Sequence, residues 1–490
     1  MSNRTTPLCC RRHFLHSSAF GLGTLGLAHL LADDGLLAAP PNVPPKPPLE
    51  PIQFDTLPKA PHFPPKAKAM ISIFLMGGAS QIDLYDYKKR LVELDGKDFP
   101  GEVQYDNPVQ SSRKVMGPIA KFKHYGKCGM HLSELVHHLG GVADDICLIR
   151  SMKTSVNNHV PSMYELNSGK GVGGRASLGS WLTFGLGSVA RNLPAFVALT
   201  DARGLPLLGG EHWTNGTIPS VYQGTAVRSK EPRILNLDPP ARLRGGAQAS
   251  QMALLREINA DHQAAHPGEN DLSARMASYE LAAQMQLAAK EAFDLSKESK
   301  ETLELYGVND PVTHDYAERC LIARRLIERG VRFVQLWNNG QSWDHHGYLR
   351  NELPARIREI DKPTAALVTD LKRRGLLDTT IVHCGGEMGR LPVIQVPLNN
   401  KDPKAVGRDH NTFGFTQWVA GGGFKRGFTY GATDEFSHKA VENVVTPQDW
   451  LTTVCHQFGL DVKRLEYKTA GRSIALLDGS AGKLLKDVLT

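Results

Sequence analysis

The chain has 490 residues, 41% hydrophobic and 22% charged, which is the balance of an ordinary globular protein with room for one large domain or two smaller ones. Its formal charge of +7 is mild and no long basic run is present. This excludes nucleic-acid recognition through a clustered basic stripe.

The first informative stretch is Cys10 to Leu31, CRRHFLHSSAFGLGTLGLAHLL. Arg11 and Arg12 stand just before Phe14 and Leu15, and a weakly apolar, glycine-containing run follows. A basic segment followed by a short apolar one is the signal-peptide layout. The order resembles a bacterial twin-arginine export signal, a route that carries folded proteins, often with a metal or cofactor aboard. Ala19 to Leu31 is too short and too rich in Gly, Ser and Thr for a membrane span, which needs about 20 apolar residues. No later apolar stretch is long enough either. Small residues at Ala38 and Ala39 place cleavage near there. Residues 1–39 are therefore expected to be a signal peptide and the mature protein periplasmic, or tethered to the inner membrane if the signal is kept.

Residues 40–65 contain PPNVPPKPPLEP and PHFPP, the composition of an extended proline-rich linker. The folded domain is expected over 66–490, with order from Ala69. MISIFLMGG (70–78) predicts a buried strand ending in a glycine turn. DICLIR (145–150) and AFVALT (195–200) predict two more. Residues 250–329 are rich in Ala, Leu, Glu, Lys and Arg, and predict a helical insertion in which Met276, Tyr279 and Met285 are packing residues. A helix over 313–330, stopped by Gly330, precedes the strand VRFVQLW (331–337). A helix over 354–374 then precedes the strand TTIVHCG (379–385). Alternating helix and apolar strand predicts an α/β fold with a mainly parallel sheet, whose ligand site lies beyond the carboxyl ends of the strands. GKGVGG (169–174) lacks the G-K-[ST] ending of a P-loop. Of the seven cysteines, Cys9 and Cys10 lie in the signal, and the other five form no CxxC pair. This argues against a disulfide framework or a zinc ribbon.

Polar residues collect just after the predicted strands. Ser80, Gln81, Asp83 and Asp86 follow the first, and Asn157, Asn158 and His159 the second. Asp344, His345 and His346 follow VRFVQLW; Glu387 and Arg390 follow TTIVHCG; Arg408, Asp409 and His410 come later in GRDHN. Carboxylates and imidazoles gathered at strand ends are what a divalent metal needs, with histidine suiting zinc or manganese and all-oxygen sets suiting calcium. Arg390 or Arg408 would hold an anionic substrate by paired hydrogen bonds. Singly, each group has a plainer explanation: Asp83 and Asp86 as helix caps, Glu387 with Arg390 as a salt bridge. His131, His137, His138 and His212 are expected to be structural, and His383, inside a strand, a core or supporting residue.

The order of PHFPPKAK, FLMGGASQIDLYD, SWDHHG, GGEMGRLP and GRDHN, behind a twin-arginine signal, resembles a bacterial exported family labelled domain of unknown function 1501. The resemblance runs through essentially the whole chain. That family is grouped with the alkaline phosphatase-like clan of sulfatases, phosphatases and phosphomutases, and so implies an alkaline phosphatase-like α/β sandwich with metal at the strand ends. GLLDTTIVHCGGEMG (375–389) is similar to the sulfatase segment GLLDNTLVIFTSDHG. On that likeness Glu387 takes the place of a metal-binding Asp, His410 is the late metal-binding His, and Asp344 with His345 or His346 supplies the middle ligands. The departures are Met388, where the clan has a metal-binding His, and Gly77 and Gly78, where the first strand ends in Asp. In NNHVPSMYELNSG (157–169), His159 stands at the nucleophile position of the sulfatase motif and Met163 replaces its Arg, so a formylglycine mechanism is not supported.

Two functions compete, with a mutase or transferase of the same clan as a weaker third. The first is a periplasmic hydrolase of phosphate or sulfate esters, small-molecule or polysaccharide, with a metal held by Asp344, His345 or His346, Glu387 and His410. In it Arg390 or Arg408 orients the anion, and His159 is the nucleophile or acid/base. The second is a binding or scaffold protein with a decayed site and a protein partner in the envelope.

Overall fold

The computed structural model describes residues 30–31, 54–265, 270–397, 400, 402, 404–469, 471–478 and 482–490. The expected signal peptide, apart from residues 30–31, and the expected linker up to residue 53 lie outside them. Residues 53–263 and 269–490 form one compact unit.

Its centre is an eight-stranded sheet. In chain order the strands are β1 (Ala69–Phe74), β2 (Ile146–Met152), β3 (Phe196–Leu199), β4 (Thr225–Val227), β5 (Phe333–Trp337), β6 (Thr380–Gly385), β7 (Phe415–Ala420) and β8 (Phe428–Tyr430). Across the sheet they lie in the order β8-β2-β7-β6-β1-β5-β3-β4. Every pairing is parallel except those of β7, which runs antiparallel to both β2 and β6. The sheet is thus mixed, mostly parallel and flanked by helices, as the alternation of helix and strand predicts.

Strand residues point alternately to opposite faces, and β1 divides accordingly. Ile71, Ile73 and Leu75 enter one core with Val334, Leu336 and Val382; Met70, Phe74 and Met76 enter the other with Phe333, Trp337 and Ile381. Helices α7 (His314–Glu328) and α8 (Leu349–Arg373) cover the first face, and α4 (Leu178–Leu186) and α9 (Pro447–Gln457) cover the second. Before α4 in sequence come α1 (Gln81–Leu84), α2 (His137–Gly140) and α3 (His159–Ser168), and between α4 and α7 come α5 (Gly246–Ala265) and α6 (Asn270–Phe293). Helix α8 starts five residues before the predicted boundary and runs through Pro354 and Pro363.

On the second face one row is polar. Ser72 lies opposite Gln335 on one side and His383 on the other. His383 Nδ1 is 3.2 Å from the Ser72 hydroxyl and its Nε2 is 3.0 Å from Gln417 Oε1. Burial pushes its pKa down to about 4, so His383 is a neutral core residue with satisfied nitrogens.

Residues 54–65, expected as part of an open linker, are seated on the body. Phe54 is buried against Tyr467, and the amides of Lys59, His62 and Phe63 donate to the carbonyls of Leu186 and Gly459. Among the described residues all five cysteines are free thiols, with only Cys128 exposed.

The strand directions place the site. β1, β2, β5 and β6 point the same way, so the loops after them share one edge of the sheet. Because β7 runs the other way, the residues just before it, Arg408 to Asn411, return to that same edge. Gly77 makes the close approach possible. It has φ +110°, and a Cβ there would lie 2.5 Å from the Asp344 amide nitrogen and 2.8 Å from the Trp343 carbonyl carbon. A side chain at this position is excluded by both sterics and backbone conformation. Gly77→Ala is expected to destabilise the fold by at least about 1 kcal/mol, read as a lower urea midpoint. Gly96→Ala, also at positive φ but with open space around its Cβ, is the milder control.

Candidate metal centre

Asp344 is the hub. It follows β5 in a tight loop held by Trp343 N–H on Met76 O (3.0 Å) and Asp344 N–H on Gln341 O (2.9 Å). Two residues on, His346 turns to the same side and its Nε2 lies 2.9 Å from Asp344 Oδ1. His410, arriving on the short strand His410–Asn411, brings its Nε2 to 3.2 Å from the same oxygen. His159, the first residue of α3, brings its Nε2 to 3.3 Å from the other oxygen, Oδ2. One donor atom from each of these four side chains lies within 4.8 Å of the others.

Two of the imidazoles are hydrogen-bonded from behind: His159 Nδ1 lies 2.7 Å from Glu387 Oε1 and His346 Nδ1 lies 2.6 Å from Gln395 Oε1. His410 Nδ1 faces Asp106 Oδ2 at 3.3 Å without a hydrogen bond. An acceptor at Nδ1 fixes the ring and aims Nε2 inward, which is how proteins orient histidine ligands. Glu387 is itself fixed by the Gly77 amide, which donates to Oε1 at 2.8 Å. Asp106 is held in place by Asp409, whose Oδ2 accepts from the amides of Asp106 and Asn107 at 3.0 Å each and from the Ser111 hydroxyl at 2.9 Å.

The charges are strongly coupled. Burial opposes ionisation of Asp344, but the Arg390 guanidinium and the three imidazoles of His159, His346 and His410 around it outweigh it and hold the carboxyl far below the usual range. Burial also disfavours charge on His159, yet Asp344 and Glu387 together raise its pKa to about 9. His410 is lowered, by burial first, with Arg390 and His159 adding to it against the pull of Asp344. Without a metal, a protonated His159 thus balances the Asp344 carboxylate at neutral pH.

Several expected site residues lie elsewhere. His345 is 2% exposed with neither ring nitrogen hydrogen-bonded, and burial pushes its pKa down to about 3; it faces the interior beside Trp343 and is not in the donor group. Glu387, expected as a ligand, stands behind His159. His159, expected as nucleophile or acid/base, stands in the cluster with its Nε2 facing Asp344 Oδ2. Arg390 is fully buried and bonds the carbonyls of Gly77, Gly78, Trp343 and Arg408 as well as Asp344 Oδ1 at 2.5 Å. Arg408 is fully buried in a two-pronged pair with Asp83 (2.9 and 3.1 Å) and bonds the carbonyls of Met116 and Gly117. Both guanidinium groups are consumed inside the protein, so neither is placed to grip a substrate anion. Asp83 and Asp86 do not serve as helix caps: Asp83 holds Arg408, and Asp86 accepts from the hydroxyls of Ser437 and Thr433.

The residues present suit a divalent metal. Nε2 of His159 is buried without a hydrogen-bond partner, and so is Oε2 of Glu387 beside it. An unpaired buried polar atom needs an explanation, and the His159–Asp344–His346–His410 donors, one atom of each within 4.8 Å of the others, are a set that could hold a cation. Asp106 and Gln395 were not visible in the sequence as site residues. Asp106 comes from a loop more than 300 residues from His410 in sequence, and Gln395 follows no strand-end cluster.

No curated protein matches the chain. Among solved structures it is similar to the PsFucS1 sulfatase from Pseudoalteromonas sp., at 11% identity over 80% of this chain and 68% of that one, with TM-score 0.35. It is also similar to the lipoteichoic acid synthase LtaP from Listeria monocytogenes, at 10% identity over 82% and 74% of the two chains, with TM-score 0.31. A protein in the alkaline phosphatase superfamily from Vibrio parahaemolyticus is 11% identical over 85% and 73%, with TM-score 0.32. The family model described as "Protein of unknown function (DUF1501)" matches residues 67–489, which is nearly all of the folded unit, and the chain belongs to that family.

Proposed function

We propose that this protein is an exported, metal-dependent hydrolase of phosphate or sulfate esters, small-molecule or polysaccharide. The observation that carries the reading is the convergence of three imidazole Nε2 atoms on one half-buried carboxylate, two of the rings with a hydrogen-bond acceptor behind them. Asp344 Oδ1, His346 and His410 form the seat, and His159 stands on the other oxygen of Asp344. Nitrogen and carboxylate donors in this number favour zinc, manganese or iron over calcium, which takes six to eight oxygens. A metal in this seat would polarise an ester oxygen as a Lewis acid.

The chain's own residues divide the remaining work. Glu387 fixes His159 through Nδ1, and Asp344 and Glu387 together raise its pKa to about 9, so without a metal Nε2 carries a proton at neutral pH. That proton is available to the departing alkoxide, which makes His159 the general acid. The Ser80 hydroxyl donates to Asp83 and the Ser162 hydroxyl to Val156 O, both at 2.5 Å. Neither is free as a nucleophile, and water is the attacking group of the proposed reaction. With Arg390 and Arg408 turned inward, the ester's negative charge would be met by the metal and the His159 cation. That both of these arginines are consumed inside the protein also favours a second reading, a binding protein that holds metal and ligand without turnover.

Exported protein is expected to contain metal, with the central ion lost in Asp344→Asn and His346→Ala. Turnover of 4-nitrophenyl phosphate or sulfate is expected to fall at least 100-fold in both variants. Folded wild-type protein that takes up no zinc, manganese or iron contradicts the proposal; bound metal with no turnover of either ester class supports the binding protein instead.

General acid catalysis contributes about 10²- to 10⁴-fold, so His159→Gln is expected to lose that much on alkyl esters. It should lose far less on 4-nitrophenyl esters, whose leaving group needs no proton. An equal loss on both would assign His159 to the metal seat instead.

The same group sets the pH profile. Activity requires protonated His159 and falls as pH rises through its pKa. Glu387→Gln removes a charge that raises that pKa, so the alkaline limb of kcat/KM is expected to move to lower pH. An unmoved limb would separate Glu387 from the titrating group.

A further inference from the structure

A second group of possible metal donors lies outside this centre. His137 and His138 open α2, and Asp361 lies midway along α8. The backbone amides of His138 and Leu139 donate to the two oxygens of Asp361 at 2.8 and 2.9 Å, which seats the short helix on the long one. The two imidazole rings lie 4.1 Å apart, and His137 Nδ1 is 3.8 Å from Asp361 Oδ2. One donor atom from each of the three side chains lies within 4.8 Å of the other two.

The carboxylate is the unusual member. Its side chain is 4% exposed, yet among the described residues its only ion-pair partner is His137, whose side chain is 60% exposed. No lysine or arginine pairs with it, unlike the buried Asp83, Asp201 and Asp370 of the same unit, each of which has an arginine partner. Burial pushes the Asp361 pKa up to about 6, against the pull of its two amide hydrogen bonds. A buried charge without a compensating cation is costly. Both imidazoles beside it open to solvent, where a metal ion can enter.

We propose that His137, His138 and Asp361 form a second zinc site, which clips α2 to α8 and supplies the cation Asp361 lacks. Two nitrogens and one carboxylate oxygen make three protein ligands, and water completes the tetrahedron that zinc adopts. Nickel and copper fit the same donors, so zinc names the class by its availability to an N/O site of this geometry. The site is independent of the proposed hydrolase reading. Its ligands lie on α2 and α8, and none of them belongs to the Asp344 cluster.

The test is a zinc titration of full-length protein freed of metal by chelation, followed by calorimetry. Wild type is expected to bind two equivalents, Asp344→Asn to keep only the α2–α8 site, and the double variant His137→Ala, His138→Ala to keep only the central one. Both substituted histidines are exposed, so the double variant should match wild type in thermal unfolding without metal. With zinc, the Asp344→Asn protein should melt several degrees higher, and adding the two histidine substitutions should abolish that rise. Asp344→Asn protein that binds no zinc overturns the proposal. So does a second equivalent that survives loss of both histidines in a protein that still folds.

Discussion

The buried guanidinium of Arg390 is the contact on which the candidate centre depends. It is fully enclosed and reaches four backbone carbonyls and one carboxylate. Those acceptors come from the turn after β1, the loop after β5 and the segment before β7, while Arg390 itself follows β6. One side chain therefore joins four stretches that are remote in sequence. A buried cation with fewer acceptors would be strongly unfavourable, so the four loops are held to the arrangement that satisfies it. Arg408 repeats the device one layer out, tying the segment before β7 to Asp83 and to the carbonyls of Met116 and Gly117. The arginines build the frame, and the histidines are what the frame presents.

This division explains what could be read from the chain and what could not. The sheet was legible because its strands are short apolar runs bounded by turn residues, and helix–strand alternation fixes their parallel sense. The position of the centre followed, since polar residues at the carboxyl ends of parallel strands meet at one edge. Strand β7 was not anticipated, and its antiparallel course is what delivers His410. Roles inside the cluster were less legible. In DHH, local sequence does not say which histidine faces Asp344; the turn selects His346 and buries His345. Arg390 and Arg408 look like anion-binding residues in sequence, because a guanidinium that serves carbonyls and one that serves a substrate are the same side chain. Only their complete burial and their partners decide it.

The glycines after β1 show how a position without a side chain can set the role of another residue. Without a side chain at 77, the Asp344 loop closes directly onto the backbone. The amide of Gly77 donates to Glu387 and holds its Oε1. That oxygen also meets His159, so the carboxylate acts through the imidazole. A residue expected from the sequence as a ligand thus stands as the support of another.

The supports behind the three histidines differ in charge, and the difference bears on function. Both rings face Asp344, but His346 is hydrogen-bonded from behind by the neutral amide of Gln395, whereas His159 is backed by the carboxylate of Glu387. The two carboxylates around His159 favour its cation and raise its pKa to about 9. His410 lies between the two cases, with Asp106 behind it but Arg390 and His159 close by, and its pKa is lowered. On the proposed reading this asymmetry sets His159 apart as the proton donor and leaves the metal to Asp344, His346 and His410, with all three rings registered on a single aspartate.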